Sequence, residues 1–370
     1  MLTGGGTAGH LYPAIAVARE LMQAGYRTLM VSSRQGRAAE ILAAEGLELR
    51  ALSVYGLVGK GLLARAKALL SLLLALGSSV ALLLSQRPRF VFGTGGYAAA
   101  PLMIAAILLR VPVALHESNR VPGLTNRLLG RFADLRFVAF PESARQLGGE
   151  VIWVGTPVRA EFHAIAPPQP AERLRLLCFG GSSGAASLDR LIVEALQQLE
   201  SHKSGIEIQH QVSALELEAV QRFYAAGGWK AEVAPYFLDL PRRMAAADLV
   251  VCRAGAVTVA ELAAAGRASI LVPLPTAAHD HQRSNALALQ SAGAAAVVEQ
   301  GQGAASRLAA EIGRYLGAVP HPCPSPEGRG ESGHAASSAA SLAAEVGARA
   351  RGLARPDAAH EIARRLEELG

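Results

Sequence analysis

The sequence predicts an α/β protein built from two doubly wound parallel-sheet domains. Apolar, β-rich runs alternate with helical patterns along the whole chain. That alternation starts afresh near Leu174, after the proline-rich stretch Ala166-Pro167-Pro168-Gln169-Pro170. Three glycine-rich turns also follow predicted strands. Strand–helix alternation of this kind gives parallel sheets with helices on both faces. A length of 370 residues suits two domains, each with its own core.

The runs expected as strands are 28–32, 90–93, 113–116, 135–138, 174–179, 207–211, 249–252 and 269–272. Helical stretches between them include 13–24, 124–131, 187–199 and 257–264, and a last one at 358–369 closes the chain. The expected domains are 1–157, joined by the C-terminal helix 358–370, and 158–357, with a hinge near 157–172. Ligands of such domains sit beyond the carboxyl ends of the strands, hence in a cleft between the two. The chain opens with Met1-Leu2-Thr3 running straight into glycines, without a secretory pattern. So the first strand is very short, or the true start lies upstream.

Two segments interrupt the pattern. Residues 62–84 are strongly apolar and are flanked by Lys60, Arg65, Lys67, Arg87 and Arg89. The uncharged part, 68–84, reaches only the lower limit of a bilayer span, roughly 17–25 residues, and Gly77-Ser78-Ser79 interrupts it. A helical hairpin whose outer face touches lipid is the leading expectation, with a buried helix pair as the alternative. Residues 319–342, rich in Pro and then in Gly, Ser and Ala, read as a disordered insertion.

Hydrophobic residues make up 51 % of the chain and charged residues 18 %, which excludes a disordered protein. Aromatics at 5 % argue against base stacking on single-stranded nucleic acid, and no nucleic-acid partner is expected. Cys178, Cys252 and Cys323 lie far apart and form no zinc pattern, so they read as reduced thiols. Residues 1–157 carry 16 Lys/Arg against 8 Asp/Glu, and the remainder 20 against 22. A basic first domain attracts phosphate groups or an anionic membrane surface.

The glycine turns are Gly4-Gly5-Gly6-Thr7-Ala8-Gly9-His10, Gly93-Thr94-Gly95-Gly96-Tyr97 and Gly180-Gly181-Ser182-Ser183-Gly184. Glycine lets backbone approach an oxyanion, and the amides and dipole of the following helix favour its charge. Three such turns in two domains point to more than one phosphate-bearing ligand. Gly4, Gly6 and Gly9 also satisfy the dinucleotide pattern, but Arg34 ends the next strand where an acidic residue grips a nicotinamide cofactor's ribose. An oxidoreductase is therefore disfavoured.

Eight ordered blocks carry a resemblance. They are Gly-Gly-Thr-Ala-Gly-His (5–10), Gly-Thr-Gly-Gly-Tyr (93–97), His-Glu-Ser-Asn (116–119), Pro-Gly-Leu-Thr-Asn-Arg (122–127) and Gly-Thr-Pro-Val-Arg (155–159) in the first half. Gly-Gly-Ser-Ser-Gly-Ala (180–185), Cys-Arg-Ala-Gly-Ala-Val-Thr-Val-Ala-Glu (252–261) and Asp-His-Gln-Arg-Ser-Asn-Ala (280–286) follow. This order resembles the MurG family, bacterial N-acetylglucosaminyltransferases that convert lipid I to lipid II in peptidoglycan synthesis.

The resemblance implies a GT-B fold, two Rossmann-like domains facing a cleft, with the UDP-sugar held by the C-terminal one. It places Thr7, Ala8 and Gly9 beside the donor, with Asn119. It puts Arg159 and Ser182 on the nucleotide and Leu238 against the uracil. Ala256, Val257, Thr258, Val259, Ala260 and Glu261 would form the turn beneath the diphosphate and ribose, Glu261 accepting from ribose hydroxyls. Gln282 would hold the GlcNAc hydroxyls, and Tyr97 and Ser183 join the substrate-binding set. Departures from the family's usual residues stand at Ala8, Ser118, Thr156 and Ser183.

Transfer requires a base for the acceptor hydroxyl, and imidazole accepts a proton near neutral pH. His10 is the first candidate, with His116 and Glu117 second. No Asp-x-Asp pair stands in a plausible context, so neither a metal nor another cofactor is expected. Expected partners are the UDP-GlcNAc donor, the lipid-linked diphosphate acceptor lipid I, and an anionic membrane surface met at the cytoplasmic face as a peripheral protein. The rival readings are a related transferase with another acceptor, a UDP-GlcNAc 2-epimerase, and a catalytically silent membrane-surface binding protein.

Overall fold

The computed structural model describes residues 1–5, 8–34, 37–54, 62–169, 171–181, 185–275, 280–316 and 332–369. They form two compact units, Met1–Arg159 with Arg355–Gly370, and Ala160–Ala354. Both are doubly wound α/β structures, as the alternation predicts.

In the first unit the elements run β1 (Leu2–Thr3), α1 (Ala8–Gln23), β2 (Met30–Ser33), α2 (Ala38–Ala44), β3 (Leu49–Leu52) and α3 (Leu62–Gln86). Then come β4 (Val91–Gly93), α4 (Ala100–Leu108), β5 (Val113–Glu117), α5 (Leu124–Leu129), β6 (Leu135–Val138), α6 (Ala144–Leu147) and β7 (Ile152–Trp153). The seven strands are parallel in the order β3-β2-β1-β4-β5-β6-β7. The winding reverses between β1 and β4, so Gly4-Gly5 and the turn at 93–97 leave the sheet on either side of its topological switch point. That is where such sheets bind ligands. One face of the sheet packs Leu11, Ile15 and Leu21 of α1 against Phe92 and Phe137, and the other packs Leu102, Met103 and Ala106 of α4.

The second unit runs α7 (Ala160–His163), β8 (Leu174–Phe179), α8 (Ala186–Gln198), β9 (Ile206–Gln211), α9 (Leu217–Gly227), β10 (Lys230–Ala234), α10 (Leu240–Ala246) and β11 (Leu249–Cys252). It continues with α11 (Ala256–Ala265), β12 (Ala268–Leu271), α12 (His281–Ser291), β13 (Ala296–Val297), α13 (Ala304–Leu316) and α14 (Ser332–Gly352). Its six parallel strands follow the order β10-β9-β8-β11-β12-β13, reversing between β8 and β11. The last helix, α15 (Ala358–Leu369), returns to the first unit and buries Ile362 and Leu366 in the α1 side of that core. Each large apolar side chain buried this way contributes about 1.5–3 kcal/mol.

Three expectations need correction. Residues 62–84 do not form a hairpin: α3 runs unbroken through Gly77-Ser78-Ser79. The two serines turn inward on their own helix, Ser78 Oγ donating to the Leu74 carbonyl at 3.0 Å and Ser79 Oγ to that of Ala75 at 2.7 Å. Their hydroxyls therefore do not compete for the ladder amides. Of the expected insertion, 332–342 belongs to α14, where Leu342 packs on the unit's core, and 319–331 lies outside the described residues. Helix α1 begins at Ala8, five residues before the expected start at Pro13. Proline favours a first turn, but here it sits in the second turn, where its missing N–H forgoes the helical bond to Gly9. Among the described residues no helix is long and apolar enough to cross a membrane.

Candidate active site

In the first unit the two glycine turns interlock around His10. Its Nδ1 lies 2.9 Å from the Thr94 carbonyl oxygen. Because that oxygen only accepts, Nδ1 carries the proton and Nε2 the lone pair of the neutral ring. The Thr94 hydroxyl, just past β4, donates back to the His10 carbonyl and also to that of Thr3 at 3.3 Å. Such a close approach forbids side chains. A Cβ on Gly96, which has φ +78°, would run into the Gly5 carbonyl and the His10 ring. His10 is half-buried and Gly9 exposed; of Ala8 only its place at the start of α1 is described. Thr7 lies outside the described residues.

His116 occupies a different setting. It lies one residue before the end of β5, fully enclosed, with Nε2 donating to the Gly155 carbonyl at 2.7 Å and Nδ1 accepting from Ser118 Oγ at 3.2 Å. Burial pulls its pKa down to about 4 against the opposing bond to Gly155, so the ring is neutral at physiological pH. Glu117 is likewise buried. Its Oε1 accepts from Asn119 N at 2.8 Å and Asn119 Nδ2 at 3.0 Å, and its Oε2 from Gly123 N and Asn126 Nδ2, both at 3.0 Å. Four donors saturate the carboxylate. It shapes the loop 118–123 and aims the Asn119 side chain.

Asn126 extends this frame by also donating to the His116 carbonyl at 3.0 Å. Thr125 donates to Gly96 at 3.2 Å, which ties the start of α5 to the second glycine turn. Tyr97 is partly buried and packs against the α4 side of the core. Arg159 stacks its guanidinium over Tyr12 of α1 at 4.2 Å.

In the second unit, Gly181 (φ +90°) opens the turn after β8, and Ser182 and Ser183 lie outside the described residues. Across the switch point, Gly255 in extended backbone caps α11 without a side-chain bond. The first-turn amides of α11 thus point past the strand ends with a helix dipole behind them. Ala256, Val257 and Val259 are buried, Thr258 and Ala260 are partly exposed, and Glu261 is buried one turn further on. Gln282, in the first turn of α12, accepts from Leu274 N at 2.9 Å through Oε1. Leu238 is 67 % exposed beside the buried Phe237.

Sequence reasoning passed over Arg253, although it stands inside one of the eight blocks. It is buried at the end of β11 and donates to the carbonyls of Val272 (3.0 Å) and Pro273 (3.1 Å), to Gln300 Oε1 (2.8 Å) and to Ser187 Oγ (2.8 Å). Burial lowers its pKa to about 10, which leaves it cationic at neutral pH. Its charge lies behind the turns where an anion would dock, and its fork ties the start of α8 to the end of β12. Asn285 adds a 3.3 Å bond to the Ala254 carbonyl.

Residues 1–138 match the N-terminal domain of glycosyltransferase family 28, and residues 175–319 match its C-terminal domain. The chain is 40 % identical over 321 residues to the UDP-N-acetylglucosamine–N-acetylmuramyl-(pentapeptide) pyrophosphoryl-undecaprenol N-acetylglucosamine transferase of Anaeromyxobacter sp. (strain Fw109-5), covering 85 % of this chain and 84 % of that one. It is 39 % identical over 377 residues to the protein of the same description from Anaeromyxobacter sp. (strain K), covering 100 % and 92 %. Among solved structures, MurG of Acinetobacter baumannii matches with a TM-score of 0.74 at 30 % identity, covering 100 % of this chain and 98 % of that one. On these grounds the chain belongs to the MurG family within glycosyltransferase family 28.

Proposed function

We infer that this chain transfers GlcNAc from UDP-GlcNAc to the C4 hydroxyl of the MurNAc in lipid I, producing lipid II for peptidoglycan. The observation that carries the chemistry is the His10–Thr94 bond, which leaves the imidazole lone pair on Nε2 in a glycine-walled turn at a topological switch point. His10 is the base: Nε2 takes the acceptor hydroxyl proton as that oxygen attacks the anomeric carbon. The bond from that carbon to the β-phosphate oxygen breaks, UDP leaves, and one displacement converts the α-linked donor into a β-linked product.

The second unit holds the donor. Amides at the start of α11 and in the turn after β8 receive the diphosphate charge that grows on the leaving group. Glu261 takes the ribose, Leu238 the uracil and Gln282 the sugar hydroxyls. His116 and Glu117 act as positioning residues, since their polar atoms are already engaged within the fold.

The acceptor's diphosphate lies at a bilayer surface, and the first unit suits that place. Leu70, Leu73, Leu74 and Leu84 of α3 are each more than half exposed, as is Leu108 of α4. With the basic residues of 1–157, these leucines dock the protein peripherally on anionic lipid at the cytoplasmic side of the membrane. Incubation with UDP-GlcNAc and a lipid I analogue tests the reading, with lipid II analogue and UDP formed in equal amounts as the expected result. Loss of UDP-GlcNAc without acceptor, or binding without product, would replace it with the epimerase or the silent binding protein.

A further inference from the structure

β9 ends on Gln211, a buried side chain that spans the strands on both sides of it. In the sheet, Gln211 is paired with Phe179 of β8 and with Ala234 of β10. Past the carboxyl ends of those neighbours lie the Gly180-Gly181 turn and the loop that carries Phe237 and Leu238. Gln211 reaches both, Nε2 donating to the Gly181 carbonyl at 3.0 Å and Oε1 accepting from the Phe237 amide at 3.1 Å. Gly181 offers only an acceptor and Phe237 only a donor, so the orientation of the carboxamide is fixed. The loop has a second anchor in Arg243. Its guanidinium stacks on Phe237 at 3.8 Å while it pairs with Glu232 at 2.8 Å and Asp239 at 2.7 Å. Leu238, by contrast with the buried Phe237, projects outward.

We propose that Gln211 is a positioning residue for the nucleotide, fixing the separation between the turn that takes the diphosphate and the loop that takes the base. This rests on the reading of the second unit as the UDP-sugar site. The brace favours a ligand that carries a base and a diphosphate at one set spacing, because holding both subsites in place removes an ordering cost from a ligand that spans them. Uridine, which touches the base loop and Glu261 but lacks the diphosphate that would reach the Gly180-Gly181 turn, gains little from it.

Two variants separate this role from simple support. Gln211→Met keeps the length and removes both bonds. Gln211→Asn keeps the carboxamide but is one methylene too short to reach both partners. Binding of UDP and of uridine is measured by calorimetric titration and displacement, beside a melting curve that verifies folding and the KM and kcat for UDP-GlcNAc. Breaking the tie between the turn and the loop is expected to weaken UDP about 10-fold or more in both variants. KM should rise in parallel with kcat nearly kept, and uridine should weaken less than about 3-fold. UDP binding at unaltered strength in a folded variant overturns the proposal, as does equal weakening of UDP and uridine. Should Gln211→Met not fold, Gln211→Asn decides alone. Failure of the unaltered chain to bind UDP overturns the donor-site reading itself, and the brace with it.

Discussion

The Thr94 carbonyl fixes the tautomer of His10. A 2.9 Å bond to Nδ1 from the end of β4 holds the ring of a residue in the first turns of α1, so a single contact links the two glycine turns and sets which nitrogen can take a proton. His10→Ala is expected to lower turnover at least about 100-fold, the low end of a general base's contribution. UDP affinity should be nearly kept, because the nucleotide is assigned to the other unit. Single-turnover rates and calorimetry read the two quantities separately, and full turnover in the variant would remove His10 from the chemistry.

Gly96 offers a steric test of the same arrangement. Its φ of +78° and the Gly5 carbonyl beside it leave no room for a Cβ, whereas Gly228 (φ +65°) caps α9 with nothing within 4 Å of that position. Gly228→Ala incurs only left-handed strain, about 1–2 kcal/mol, and should keep full activity. Gly96→Ala adds a backbone clash and must spread the two turns apart, so it should lose more stability than Gly228→Ala and most of its turnover. Urea unfolding and rate measurements on both variants check this. Equal stability losses with activity intact in both would show that the turns need no close approach.

Much of this architecture was legible in the sequence because the strong signals were local. β8, β11 and the helices beside them are continuous apolar runs or periodic stretches, and the glycine turns follow them directly. β1, β7 and β13 are two residues long and exist through pairing with neighbours, a tertiary effect that no window of sequence contains. Gly77-Ser78-Ser79 was misleading for a related reason, since its hydroxyls bond back to the preceding turn. At the site, residue types suggested chemistry but could not reveal engagement. His116 and Glu117 read as second candidates for the base, yet contacts from Gly155, Gly123 and Asn126 occupy them. The cross-strand ties of Arg253 and Gln211 join segments far apart in the chain, and no spacing rule signals them.

The burial of His116 carries a pH consequence. Its folded pKa of about 4 lies below the 6.5 of an unconstrained imidazole, so between these values the unfolded chain binds a proton that the folded chain refuses. The contribution of this group is therefore present above pH 6.5 and is lost progressively as pH falls toward 4. At 1.36 kcal/mol per pKa unit the loss is on the order of 3 kcal/mol. Replacing the ring with the neutral amide in His116→Gln should flatten the stability profile over that window, whatever it costs at pH 7. Urea midpoints at several pH values measure the slope; parallel profiles for the two proteins would show that His116 is not the group responsible.

The outer face of α3 gives the membrane reading its test. Leu70, Leu73 and Leu74 recur at helical spacing and are 58 %, 57 % and 65 % exposed, while Ser71, Ala75 and Ser79 of the same helix are buried. An exposed leucine stripe is unfavourable in water and favourable just below lipid headgroups, where each leucine gains up to about 1.5–3 kcal/mol if fully buried. Arg87 and Arg89 follow at the end of the helix, placing cationic groups where anionic lipid would meet them. Changing Leu70, Leu73 and Leu74 together to Ser should reduce co-sedimentation with anionic vesicles at least about 10-fold even with partial insertion. UDP binding should be spared, since these leucines lie in the first unit. Raised salt should weaken vesicle binding of the unaltered chain but affect the variant's residual binding proportionally more, because only the charge attraction remains there and it is screened. Unchanged sedimentation of the triple variant would mean that this face does not meet the membrane.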